Sequence, residues 1–261
     1  MAGAYALRGY LPVSLAARTL RSRLRRLRGK PEAPPTQLTQ APWTQVLKTR
    51  PIRLAETGKS DGNVRLSELA ILALAASEAP SGSEIIEIGT FDGRTALNLA
   101  INAPNDVSVA TLDLPAGQPS ALAIEDSERR YVDKPAPGAR LRACDEIWAG
   151  AARRVTQLYG DSATFDWTPH LGRAGLVFVD GSHAHDYAKK DSETAMRLVR
   201  PGGVVLWHDY GVWPGVNRAL EELESDRHLG LVNIKGTSLV FWRAPDAAGQ
   251  ARQDPLHHRA S

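Results

Sequence analysis

The chain has 261 residues, 43% apolar and 23% charged, the proportions of a soluble globular protein and enough for one sizeable α/β domain with appendages. No apolar run approaches the ~18 residues that span a bilayer, and the single cysteine, Cys144, excludes an intramolecular disulfide or a cysteine metal cage. Residues 1–30 hold eight Lys and Arg and no acid, so the formal charge of +3 becomes −5 for the rest, with 24 basic against 29 acidic residues. A mildly acidic main domain argues against a nucleic-acid footprint, and the cysteine usage fits the reducing cytoplasm.

The basic stretch "LAARTLRSRLRRLRGK" (15–30) sets Leu20, Leu24 and Leu27 at helical spacing among arginines. This is the pattern of a segment that lies on an anionic membrane surface or docks on a partner. "KPEAPPTQLTQAP" (30–42) reads as a Pro-rich linker without helix or strand potential. The expected organisation is a tail and linker over 1–42, one domain over 43–243, and a C-terminal tail over 244–261.

Strands and helices alternate from about residue 64. "LSELAILALAASEA" (66–79) predicts a helix, with Ser67 as N-cap and Pro80 just past the end. "EIIEIG" (84–89) is a buried strand and "RTALNLAINA" (94–103) a helix. "VSVATLDL" (107–114), "VTQLYGDS" (155–162) and "AGLVFVDG" (174–181) give three more strands. Helix "DSETAMRLV" (191–199) runs through a "RPGG" turn into a fifth strand, "VVLWHD" (204–209). Helix "VNRALEELES" (216–225) and strands near 231–234 and 238–243 close the domain. Such alternation predicts an α/β, Rossmann-like, doubly wound and mostly parallel seven-stranded sheet with helices on both faces. The segment between Leu114 and Arg154 is not needed by the alternation, and loops of that length inside domains are often lids. A lid and an amphipathic tail are compatible with a homodimer.

Within "EIIEIGTFDGRT" the glycine spacing is G-x-x-x-G, from Gly89 to Gly93, and lacks the third glycine of a dinucleotide-binding turn. That disfavours a dehydrogenase. The wider turn is expected to let backbone approach a bulky ligand. Five strands end in or near an acid at one edge of the sheet, Glu87, Asp113, Asp161, Asp180 and Asp209, where such sheets bind ligands. Asp113, about 20 residues past the glycine turn, can accept the hydroxyls of a ribose. Asp161 and Ser162 can hydrogen-bond an adenine amine. A carboxylate-lined pocket repels phosphates and suits a cationic nucleoside bearing an ammonium and a sulfonium, a description that fits S-adenosylmethionine.

These motifs resemble the class I S-adenosylmethionine-dependent methyltransferases, and within them the small-molecule O-methyltransferase-like branch. The resemblance runs over residues 64–243 and is carried by "EIGTFDGRT", "LYGDSATFD", "LVFVDGSHAHDY" and "LVRPGGVVLWHDYG" in that order. It implies that Glu87, Gly89, Thr90, Phe91 and Gly93 surround the methionyl and ribose parts of the donor, Asp113 its ribose hydroxyls, and Asp161 and Ser162 its adenine. The implied reaction is methyl transfer to a small-molecule acceptor. An oxygen acceptor is preferred, with N-methylation or a non-catalytic donor-binding module as alternatives.

A hydroxyl acceptor must lose a proton. Asp180 and Asp209, at adjacent strand ends, are placed to share a divalent cation such as Mg²⁺, and His183, three residues after Asp180, has the near-neutral pKa of a general base. Metal-dependent catechol-type relatives carry Asp-Asn after the fifth strand where this chain has Asp209-Tyr210, so a further ligand would come from elsewhere, His208 being the nearest candidate. Tyr210 and Trp213 are expected to line the acceptor pocket. "HAHD" (183–186) with His208 gives a competing hydrolytic metal-cluster reading.

Overall fold

Two short, largely apolar runs, "EIIEI" and "AGLVFV", set the middle of the fold. The computed structural model describes residues 36–55, 58, 64–132 and 137–246. In it these runs are strands β2 (Glu84–Ile88) and β5 (Ala174–Val179), buried at every position, as parallel strands covered on both faces must be. The other strands are β1 (Thr39–Ala41), β3 (Ser108–Asp113), β4 (Val155–Tyr159), β6 (Val199–Trp207), β7 (Val232–Ile234) and β8 (Val240–Arg243). They form one sheet in the order β1-β7-β8-β6-β5-β2-β3-β4. All neighbours are parallel except β8, which runs antiparallel to both β6 and β7.

Side chains alternate between the two faces with the period of a strand. Ile85, Leu176 and Phe178 pack with Leu69, Leu72 and Leu99 on one face. Ile86, Ile88, Val177 and Val179 pack with Ala195, Leu198 and Leu220 on the other. The first layer comes from helices α1 (Leu66–Ser77) and α2 (Arg94–Asn102). Each fully buried Leu or Ile contributes roughly 1.5–3 kcal/mol, and these two layers hold the sheet between them. After β2 the chain moves toward β3 and β4, and β5 opens the opposite direction. The switch point therefore lies at the carboxyl ends of β2 and β5, where open α/β sheets place their crevice.

Between β3 and β4 the chain makes short helical turns: α3 (Arg129–Val132), α4 (Ala139–Arg142) and α5 (Ala149–Ala152), with 3₁₀ turns at Asp126–Glu128 and Glu146–Trp148. Backbone bonds from Gly138 N–H to Phe91 O (2.9 Å) and Arg140 N–H to Asp92 O (2.8 Å) lay this insertion over the glycine turn. The second layer is made by α6 (His185–Leu198) and α7 (Pro214–Arg227).

Four sequence expectations are corrected. The sheet has eight strands, because the last residues of the Pro-rich linker become β1, Thr39 pairing with Val232. The Tyr210 hydroxyl fixes this edge by accepting the N–H groups of Gln37 and Leu38, each at 3.0 Å. Ser67 is inside α1 rather than its cap; Glu68 reaches back to accept the Arg65 N–H at 3.1 Å. "RPGG" is not a turn before the fifth strand but part of β6, where the register against β5 slips between Ala174 and Leu176. The helix expected from residue 191 begins at His185. The basic segment 15–30 and the C-terminal tail from residue 247 lie outside the described residues.

Candidate active site

The glycines of the turn after β2 are places where the protein approaches itself closely. Gly89 has φ 100°, and a Cβ there would sit 2.1 Å from the carbonyl oxygen of Asp180. A Cβ on Gly93 (φ 88°) would sit 2.8 Å from Leu141 Cβ in α4. The first glycine lets the β2 and β5 ends touch, and the second seats the insertion. Gly89 also borders the cleft.

Among the described residues, three non-glycines have positive φ: Phe91 (53°), Asp209 (63°) and His228 (48°). The first two line the cleft, where strained backbone is a frequent companion of function. Phe91 turns its N–H onto Asp113 Oδ2 at 2.5 Å, so the acid at the end of β3 is bound to the β2 turn. Glu87 and Thr90 are corrected as rim residues, since both are buried beneath it. Thr111 donates to Glu87 Oε2 (2.5 Å), Thr90 and Thr111 share a hydrogen bond of 2.7 Å, and Gln157 donates to Thr90 (2.9 Å). Burial holds the Glu87 carboxyl well above the usual range, with Thr111 opposing and Asp180 and Asp113 adding to the rise.

On the β4 side, Asp161 and Ser162 border the cleft with Gly160 and Tyr187. Asp161 Oδ2 accepts the Ala121 N–H at 2.7 Å and the Tyr187 hydroxyl at 2.5 Å, while Oδ1 accepts the Ala163 N–H at 2.8 Å. Asp161 therefore also straps down the start of the insertion.

At the β5 and β6 ends the sequence-predicted acid and base groups do converge. Asp180, His183 and Asp209 bring one ligand atom each to within 4.8 Å of one another. His183 Nε2 is 2.8 Å from Asp209 Oδ2 and its Nδ1 is 2.5 Å from Glu128 Oε1. The imidazole stacks on Trp213, centroids 4.5 Å apart and planes 6° from parallel. Burial disfavours the charge on His183, but Asp209 and Glu128 outweigh it and lift its pKa to about 9. Asp209 is held below the usual carboxylate range: burial is overcome by His208 and His183. Burial raises Asp180, with His208 opposing.

His208 does not join the ligand set. Its Nδ1 faces Asp180 (2.9 Å) and Asp209 (3.3 Å), and its Nε2 faces Glu68 at 3.4 Å. Glu68 is fully buried and also accepts the N–H and hydroxyl of Ser238. The hydrolytic cluster is not formed either, because His185 turns to Asp186 and Glu222 at 2.9 and 2.8 Å. Tyr210 is corrected as an acceptor-pocket residue: it is 2% exposed and donates to Glu221 at 2.7 Å in the core behind β6. Trp213 does line the cleft. Sequence reasoning missed Glu128 and Tyr187, both in the cleft wall.

The remaining wall is apolar, with Ile88, Leu112, Leu114, Ile124, Tyr131 and Val132. A flat heterocycle fits such a wall, and a cation fits the aspartate rim. The set Asp180, His183 and Asp209 could hold a divalent ion, and its nitrogen donor suits a transition ion such as Mn²⁺ better than Mg²⁺, which prefers oxygen.

Fold and site together define an α/β enzyme of the doubly wound class, with its crevice at the switch point and acid–base groups at one end. Residues 86–210 match the family model of a methyltransferase domain, and the fold is that of solved methyltransferases. Among solved structures, the O-methyltransferase NovP is 16% identical, with 69% of this chain and 81% of that chain covered and a TM-score of 0.51. An S-adenosylhomocysteine-bound methyltransferase from Podospora anserina is 16% identical over 71% and 81% of the two chains, TM-score 0.50. The O-methyltransferase TomG from Streptomyces achromogenes, solved with S-adenosylmethionine, is 24% identical over 71% and 82%, TM-score 0.47. A search of curated proteins finds no match.

Proposed function

We propose that the protein transfers the methyl group of S-adenosylmethionine to a hydroxyl oxygen of a small or medium-sized acceptor. The observation that carries this reading is the pairing of an aspartate-rimmed apolar cleft with the Glu128–His183–Asp209 chain at its β6 end. Asp113 would hold the ribose hydroxyls, Asp161 and Ser162 the adenine, and Gly89 and Phe91 the edge beside the methionyl part. The donor supplies an activated methyl group on a sulfonium, so the protein's work is alignment and removal of the acceptor proton. Alignment alone can be worth ~7–11 kcal/mol.

Trp213 and Asp209 fix the ring of His183, and Nε2 points to the cleft side. His183 holds its proton at neutral pH in this geometry; it serves as base once Nε2 is free, and positive charge entering the cleft favours that loss. A divalent ion bound by Asp180, His183 and Asp209 would lower the pKa of a bound hydroxyl. The insertion over 114–154 acts as the lid. A cytoplasmic setting goes with the single cysteine, and a small-molecule acceptor, not nucleic acid, goes with the acidic main domain. No described helix is long and apolar enough to cross a membrane.

The test is incubation with methyl-labelled donor, a panel of hydroxylated metabolites, and Mn²⁺, Mg²⁺ or EDTA. Label in an oxygen-methylated product supports the reading. Donor binding without transfer to any acceptor points to a binding module, and NADH binding in its place removes the assignment.

A further inference from the structure

Tyr187 lines the cleft from α6 and is only 4% exposed, yet no step of the transfer uses it. Its hydroxyl ends between two segments far apart in the chain. It donates to Asp161 Oδ2 at 2.5 Å, past the end of β4, and accepts the Leu122 N–H at 3.3 Å, in the insertion. The same Oδ2 accepts the Ala121 N–H at 2.7 Å, and Oδ1 accepts the Ala163 N–H at 2.8 Å.

These bonds fix what Asp161 has left to offer. A carboxylate has about four acceptor sites. Both on Oδ2 are filled, one by the insertion and one by Tyr187, and one on Oδ1 is filled by the chain just past β4. A single site on Oδ1 remains, on a side chain that borders the cleft. Three donors from three segments also keep the group from turning, so it does not re-aim toward a ligand of another pattern. An exocyclic amine gives the open site a proton. A ring carbonyl in the same place sets acceptor against acceptor and leaves both unpaired, which is costly for a charged group.

We infer that Tyr187 is a positioning residue that sets donor specificity: it holds Asp161 with one acceptor left open, so that the cleft takes a 6-amino purine nucleoside and rejects its 6-oxo counterpart. The inference rests on the transferase reading, which puts the adenine beside Asp161, and adds a residue outside the set of strand-end acids. It also joins two tasks in one carboxylate. The base is read at the group that fastens the start of the insertion.

The experiment is titration calorimetry of the full chain with S-adenosylhomocysteine and with S-inosylhomocysteine, which carries a 6-oxo group instead of the amine. The parent should bind the amino form ~10–100-fold more tightly, the scale of an unpaired charged acceptor. Tyr187→Phe keeps the ring in its packing and removes one donor. The preference should then fall by ~3–10-fold, the scale of one hydrogen bond, with far-UV dichroism unchanged. Asp161→Asn in both backgrounds completes a double-mutant cycle. Because Tyr187 acts through Asp161, the phenylalanine should change the preference there by less than ~2-fold. An equal loss for both ligands in Tyr187→Phe, an unchanged preference, or a full effect without the aspartate would each overturn the inference. A parent that binds both nucleosides equally would do the same and leave the transferase reading standing. A parent that binds neither refutes that reading, and the inference falls with it.

Discussion

Trp213 lies against the imidazole of His183, planes 6° from parallel and centroids 4.5 Å apart, so the residue opening α7 sets the attitude of a residue that follows β5. A stacked pair of this kind is worth about 0.5–1.5 kcal/mol. Trp213→Ala should therefore lower kcat by roughly 2–10-fold, with donor affinity nearly unchanged. Trp213→Phe should recover most of it. Initial rates and donor titration calorimetry on the two variants check this; equal loss in both would show that the indole contacts the acceptor instead.

The pKa of about 9 on His183 sets a direction for the pH profile. Below that value the ring is charged and cannot accept a proton, so kcat/KM should climb with pH toward an apparent pKa near 9. His183→Ala should abolish the climb along with the activity. A profile flat between neutral pH and that point removes His183 as base. The same displacement bears on stability: its contribution is complete below the unfolded value of 6.5 and is lost as pH rises through about 9.

Gly89 gives a structural prediction. Its φ of 100° and the 2.1 Å gap between a hypothetical Cβ and Asp180 O leave no place for a side chain, and the neighbour is backbone that cannot swing away. Gly89→Ala should cost several kcal/mol, at the upper end of single substitutions. Gly82→Ala, also at positive φ (68°) but with nothing within 4 Å, should cost only the conformational strain, ~1–2 kcal/mol. Urea denaturation midpoints compare the two, and similar losses would contradict the contact.

The strands that build the floor were legible because their sequences are extreme. "EIIEI" and "AGLVFV" have no reading other than buried strand, and once they are placed, Asp113, Asp180 and Asp209 must fall on one edge. What escaped the sequence depends on contacts far along the chain. β1 is three residues from a proline-rich stretch, held by a hydroxyl more than 170 positions away. Tyr210 and Trp213 look equivalent in "HDYGVWPG", yet Tyr210 faces the core and Trp213 the cleft, because Asp209 takes a left-handed turn between strand and helix. Glu128 stands in a charged segment where one acid resembles another. The only local signal is its spacing from Glu125, which marks a helical turn but not the reach to His183.

Asp191 carries the last prediction. It sits in α6 with no exposure, behind Gly181 and Ser162, and its Oδ2 would be 3.0 Å from a Cβ at Gly181. Burial pushes its pKa from 3.8 to about 7, with the Ser162 hydroxyl pulling the other way. A raised value in the folded state means that the fold prefers the neutral acid. The stability this provides is complete below pH 3.8 and drains away as pH rises through about 7. Between those two values the loss is about 1.4 kcal/mol for every tenfold fall in proton concentration, enough to move the melting temperature by several degrees. Asp191→Asn keeps the shape without the charge. It should melt well above the parent at pH 8 and close to it at pH 4, as calorimetry at the two pH values can show. A gain of the same size at both would mean that the substitution relieves packing, not charge.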